Sequence, residues 1–161
     1  MSQWRETGGT MIIYFSETGI TEKAAQHLQG IIGGDVERIT AAQPYTDADL
    51  DWQVEDSRAN LEQHGKLPAP KLAAPVDLGG ATEVFLGFPI WWGIPPKVVD
   101  SFLGSHDLGN ARVHPFCTSG SSPMDEAEEY LRSTFPDIAW AKGLRFHDGL
   151  TEEDIRTWAD A

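Results

Sequence analysis

A three-layer α/β fold built on a parallel sheet is the class this sequence predicts, and three observations predict it. Short apolar runs bounded by turn signals, Met11–Phe15 first among them, read as buried strands. Behind that first run, Ile20, Ala24, Leu28 and Ile31 recur at helical spacing. Strand and helix patterns then alternate down the chain, which calls for parallel pairing with right-handed crossovers. At 161 residues the chain can bury one full core.

Residues 1–10, with Gly8 and Gly9, read as a flexible leader, and 11–161 as a single domain. The first helix follows Gly19 and ends at Gly33-Gly34, after which Asp35–Ile39 reads as a short second strand. Thr46-Asp47-Ala48-Asp49 carries a capping-box signal for an acidic helix to about Gly65, with Leu50, Val54 and Leu61 inward. Three prolines and a Gly-Gly pair make 66–80 a surface connection. Glu83–Phe88 is the third strand; Pro95 and Pro96 suit the first turn of a helix burying Val98, Val99, Phe102 and Leu103. Arg112–Cys117 is the fourth strand, although Pro115 lacks the N–H that a central ladder needs. Ser122 is placed to cap a helix running to about Thr134, and Gly143–Phe146 reads as the fifth strand. Thr151 caps a last helix with Ile155 and Trp158 inward.

Composition narrows the function. With 25 acidic and 12 basic residues the formal charge is −13, which repels nucleic acid and anionic membranes and suits a basic protein partner or simple solubility. A single cysteine, Cys117, excludes an internal disulfide and a cysteine-based metal cluster, and reads as buried rather than reactive. The five histidines, His27, His64, His106, His114 and His147, show no metal spacing. No apolar stretch reaches transmembrane length and no signal pattern opens the chain, so a cytoplasmic location is expected. Ser16 and Ser119 lack the Gly-x-Ser-x-Gly elbow of a hydrolytic nucleophile. The acidic stretch 47–56 reads as a solvated face, with partner docking the alternative.

In sheets of this type ligands bind beyond the carboxyl ends of the strands, which singles out loops 16–21, 89–94 and 118–122. In Ser16-Glu17-Thr18-Gly19-Ile20-Thr21, hydroxyls and a glycine sit where a strand ends and a helix begins. Orphan N–H groups and the helix dipole favour an anion there, most obviously phosphate. The loop has neither a Walker lysine nor three-glycine spacing, and by itself fits a phosphate site and a plain cap equally well. Pro89-Ile90-Trp91-Trp92-Gly93 offers indoles for a flat ring, one of the two being expected to plug the sheet end and the other to face a ligand. Thr118-Ser119-Gly120 offers short donors for a ring edge; its alternative is a helix cap. Phosphate donors, a stacking platform and ring-edge donors together suit flavin mononucleotide (FMN) better than a sugar or a metal.

Those loops resemble the flavodoxin family, in a bacterial branch with a Tyr-Phe-Ser-x-Thr-Gly-x-Thr loop and a Pro-Ile-Trp-Trp-Gly loop, here Tyr14 to Thr21 and Pro89 to Gly93. The likeness continues through Pro44-Tyr45, Ile94-Pro95-Pro96, Phe102-Leu103, Asp107-Leu108 and Pro115 to Gly120, over most of 11–150. It implies a flavodoxin-like three-layer sandwich: a five-stranded parallel sheet of order 2-1-3-4-5 with helices on both faces and FMN at the switch point between the first and third strands, flavodoxins being a standard case of that rule. It also implies that Ser16, Thr18, Gly19, Ile20 and Thr21 hold the phosphate, and that Pro89, Ile90, Trp91, Trp92, Gly93, Thr118, Ser119 and Gly120 frame the ring. Two departures stand out: Ile20 replaces a common asparagine, leaving only its backbone N–H, and Ser121-Ser122-Pro123 stands where relatives continue with glycines.

The expected function is a soluble electron carrier docking a basic redox partner. No cation occurs in the three loops, so reduced, more negative flavin is disfavoured and a low potential follows. The alternatives are an NAD(P)H-dependent FMN reductase acting on quinones or similar acceptors, and a flavodoxin-like binding module without FMN.

Overall fold

The computed structural model of the protein describes residues 9–119 and 121–161. Most of the expected leader therefore lies outside the described residues, while Thr10 already opens β1 (Thr10–Tyr14). The elements that follow are α1 (Ile20–Ile32), β2 (Asp35–Arg38), α2 (Arg58–Gln63), β3 (Glu83–Pro89) and α3 (Lys97–Ser105). The chain continues with β4 (Arg112–Thr118), α4 (Asp125–Thr134), β5 (Ala139–Trp140), β6 (Leu144–Phe146) and α5 (Glu152–Asp160). The sheet order is β2-β1-β3-β4-β5, with β6 also on β4 and every pairing parallel. The flavodoxin-like order 2-1-3-4-5 is therefore present.

Strand alternation sorts the core into two layers. Met11, Ile13, Phe15, Val84, Leu86, Phe88, Val113 and Cys117 face one side, where α3 adds Val98, Val99, Phe102 and Leu103 and α4 adds Ala127 and Leu131. Ile12, Tyr14, Phe85 and Phe116 face the other, where α1 adds Ala25, Leu28, Ile31 and Ile32 and α5 adds Ile155 and Trp158. Each large side chain buried this way contributes about 1.5–3 kcal/mol, so the two layers dominate the stability. Edge strand β2 stays polar, with Asp35, Glu37 and Arg38 exposed, which discourages edge-to-edge association.

Three expectations need correction. The fifth strand is split: β5 pairs with Arg112 and Val113, and β6 pairs with Phe116 to Thr118. Pro115 explains the break. Arg112 N–H bonds Thr82 on the β3 side, whereas Val113 C=O accepts from Ala141 on the other. Alternate residues of a parallel strand address opposite neighbours, so Pro115 turns its missing N–H toward the interrupted position. The acidic helix predicted from Thr46 shrinks to α2. The Thr46–Asp49 capping bonds do form, at 3.0 and 3.1 Å, but 47–56 continues as turns and Ser57 caps the helix instead. Three aspartates (Asp47, Asp49 and Asp51), Trp52 and Val54 are weak helix formers, and a capped turn alone does not repay nucleation. Leu50 does pack on the core, but Val54 is exposed. Ser122 does not cap α4: the N-cap is Met124 without a side-chain bond, and the Ser122 carbonyl accepts from Ser119 Oγ at 2.5 Å. The Thr151–Asp154 capping box of α5 forms as expected.

Candidate functional site

The first loop leaves β1 through Phe15, whose N–H bonds Gly87 on β3, and turns at Gly19 with φ of 92°. Ser16 is buried and its Oγ accepts from Gly19 N–H at 3.1 Å, so the hydroxyl proton stays available to a ligand. The first intrahelical bond of α1 runs from Lys23 N–H to Gly19 C=O. The N–H groups of Ile20, Thr21 and Glu22 precede it and have no helical acceptor, which makes the loop a natural anion cradle. Ile20 turns its side chain outward, 62% exposed, so only its backbone serves the loop. Thr21 is buried, with its Oγ1 2.7 Å from Thr118 Oγ1, and this pair joins the first loop to the third.

The second loop is a tight reversal. Trp91 and Ile94 exchange two backbone bonds at 2.9 and 3.2 Å, with Trp92 at φ 50° and Gly93 at φ 83° between them. Positive φ at both central residues is the geometry of a type I′ turn, natural for Gly93 and strained for a tryptophan. Such strain clusters at functional sites. Trp91 packs edge-to-face on Phe15 at 5.7 Å and Tyr45 at 5.6 Å, while Trp92 is 38% exposed beside His64 at 5.5 Å. One indole thus plugs the sheet end and the other is open.

These loops enclose a cavity of about 350 Å³ lined by Ser16, Glu17, Thr18 and Thr21 on one side and Pro89, Ile90, Trp91 and Trp92 on another. It sits at the ends of the paired strands β1 and β3, where the chain leaves them for opposite faces of the sheet, the position expected of a ligand in this topology. The sequence reading missed its third wall, Leu50, Trp52 and Ala59. An exposed tryptophan among carboxylates, with no core position to fill, was the available signal. Gln63 was missed as well. Its Nε2 donates to the Trp91 and Pro95 carbonyls at 3.0 and 3.1 Å, and its Oε1 accepts from Lys97 N–H at 2.8 Å. Gly19, Ile20, Gly93, Thr118 and Ser119 flank the cavity without lining it, and Gly120 lies outside the described residues.

The loops themselves carry no cation, but two arginines reach them from neighbouring strands. Arg38 on β2 donates to the Ser16 carbonyl. Arg145 on β6 donates to Ser119 Oγ at 3.0 Å and to its carbonyl at 3.2 Å. Both are non-local in sequence, which is why inspection of the loops alone overlooked them. Burial pushes the Glu17 carboxyl up, opposed by the charges of Arg38 and Arg58. Burial also pushes the Cys117 thiol up to about 12, so it is an inert core residue. Among the described residues, no group of His, Cys, Asp or Glu is placed to hold a metal ion, and no helix is long and apolar enough to cross a membrane.

A family model described as flavodoxin matches residues 9–161. The chain belongs to the flavodoxin family. Two solved structures resemble this chain closely. A candidate flavoprotein from Bacteroides eggerthii is 38% identical, covering 94% of this chain and 96% of its own, with a TM-score of 0.89. Another from Bacteroides uniformis is 35% identical, covering 96% and 99%, with a TM-score of 0.88. A flavoprotein from Lactobacillus acidophilus, solved in complex with FMN, shares the fold at 19% identity and a TM-score of 0.77, covering 95% and 99%. No curated protein sequence matches the chain.

Proposed function

We propose that this flavodoxin family member binds FMN and serves as a low-potential soluble electron carrier in the cytoplasm, residues 11–161 forming its single domain. The observation that carries the reading is the cavity between the α1 N-terminal loop and the Trp91–Trp92 turn. It joins a phosphate cradle to exposed aromatic surface, and the fit to a phosphorylated flat ring follows from that pairing. The FMN complex of the Lactobacillus acidophilus protein supports the same choice. Ser16, Thr18, Gly19, Ile20 and Thr21 would hold the phosphate through hydroxyl and N–H donors. Pro89 to Gly93 would cover the ring, with Thr118, Ser119 and Gly120 at its edge. Bound FMN supplies one- and two-electron redox chemistry.

A cavity of about 350 Å³ lies within the range of small-ligand sites. Glu17 in the cavity wall and the aspartates of 47–56 disfavour added negative charge, while Arg38 and Arg145 moderate the effect. The acidic face also suits a basic redox partner. The deciding experiment is a titration of cofactor-stripped protein with FMN, riboflavin and FAD. Tight FMN, weaker riboflavin and little FAD binding is expected; folded protein that ignores FMN would leave a binding module. Direct NAD(P)H consumption with a quinone would move the assignment to the reductase, and bound FMN reduced more easily than free FMN would reject the low potential.

A further inference from the structure

We infer that Trp52, from the β2–α2 connection, supplies a stacking face for the ring bound in this cavity, in addition to the Trp91–Trp92 turn. The inference rests on the flavin reading above and extends it to a part of the chain that neither the loop motifs nor the expected site residues include. Trp52 lines the cavity yet is 68% exposed, more than any other large hydrophobic side chain among the described residues. An indole so placed serves no core. Its neighbours in the wall, Leu50 and Ala59, are tied into the fold: Leu50 packs on the core and Ala59 is buried.

The connection holds its shape without help from the indole. Thr46 and Asp49 exchange capping bonds, and Asp51 Oδ1 accepts from Gln53 N–H at 3.0 Å. The Asp49 carbonyl accepts from Ala59 N–H at 2.9 Å, and Asp49 lies 3.7 Å from Arg58 Nη1. These bonds bracket Trp52 on both sides and fix the backbone that presents it. Where the sequence predicts a helix, the aspartates act as turn builders that hold one aromatic residue at the cavity.

The chemistry of an indole selects the occupant. Its face carries the negative lobe of the ring quadrupole, which repels phosphate and attracts an electron-poor flat ring. The phosphate end of the site is already defined by the α1 cradle, so Trp52 acts on the ring and not on the phosphate. Stacking of an aromatic side chain on a flat heteroaromatic ring is strong enough to detect by alanine substitution.

Titrations of cofactor-stripped wild type, Trp52→Ala and Trp52→Phe with FMN and with riboflavin test the point, read by flavin and tryptophan fluorescence. Trp52→Ala should raise Kd about tenfold for both ligands, equivalent to about 1.4 kcal/mol, and leave their ratio unchanged. Trp52→Phe should recover most of the loss, and both variants should keep the wild-type urea midpoint. Trp52→Ala binding FMN as tightly as wild type overturns the inference while the flavin assignment stands. A loss confined to FMN, with riboflavin unaffected, also overturns it. Wild type that binds neither ligand overturns the flavin assignment itself, and this inference with it.

Discussion

Gln63 offers the sharpest test of how the site is held, because one side chain supports both ends of the second loop. It is 7% exposed at the end of α2 and makes three bonds to the backbone of Trp91, Pro95 and Lys97. Gln63→Leu keeps the volume and removes all three. Each bond contributes about 0.5–1.5 kcal/mol net, so the loss is about 1.5–4.5 kcal/mol. The upper half is favoured because the orphaned carbonyls and the Lys97 N–H sit under the turn with poor access to water. In a domain of this size each kcal/mol lowers Tm by about 2–4 °C, so a loss of about 3 kcal/mol lowers it by roughly 6–12 °C. Urea unfolding should show a lower midpoint with an unchanged slope. Gln63→Glu separates hydrogen bonding from packing. It retains the acceptor for Lys97 N–H but aims a carboxylate at two carbonyls, so it should be worse at pH 7 than near pH 4, around and below the ordinary glutamate value of about 4.3. A Gln63→Leu protein within about 0.5 kcal/mol of wild type, the scatter of ordinary surface changes, would refute the claim that this amide holds the loop.

Two further predictions follow from single positions. Gly93→Ala should cost about 1–2 kcal/mol, because φ of 83° is left-handed and an added Cβ would meet Glu126 Oε1 at 2.5 Å. Glu126→Ala in the same chain should relieve the contact but not the backbone term, and a double-mutant cycle by urea unfolding that recovers everything would contradict the turn assignment. His114 is fully buried, stacked on Phe85 at 4.3 Å, with Nε2 3.1 Å from Glu83 Oε1. Burial lowers its pKa and Glu83 only partly opposes this, so below the unfolded value of about 6.5 the unfolded chain takes up a proton that the folded chain resists. The stability His114 contributes is whole above that value and falls as pH drops toward its folded pKa. His114→Gln should flatten the slope of unfolding free energy between pH 7 and 5, and an identical slope would show that His114 does not titrate there.

Local chemistry was sufficient for the first four strands, for four of the five helices among the described residues and for two walls of the cavity. Apolar alternation and helical spacing are properties of neighbours in sequence, and a hydroxyl-rich strand-to-helix loop acts through its own N–H groups. The same locality misled at 46–57. The Thr46–Asp49 bonds were legible, but whether a capped turn propagates depends on the face it can bury, and Trp52 and Val54 found none. Ser122 failed as a cap for a similar reason: its carbonyl went to Ser119, and Arg145 from another strand engaged the same serine.

By itself, then, the sequence determined the α/β class, the first four strands in their order and the net acidity of the chain. Tertiary structure alone decided which residues meet. Arg38 reaches Ser16 from 22 residues away, Gln63 reaches Trp91 from 28 and Thr21 reaches Thr118 from 97. It also decided that Trp52 faces the cavity and that Pro115 splits the fifth strand. Such contacts depend on sheet register and crossover geometry, which bring side chains together by position on neighbouring elements and leave no periodic trace in the chain.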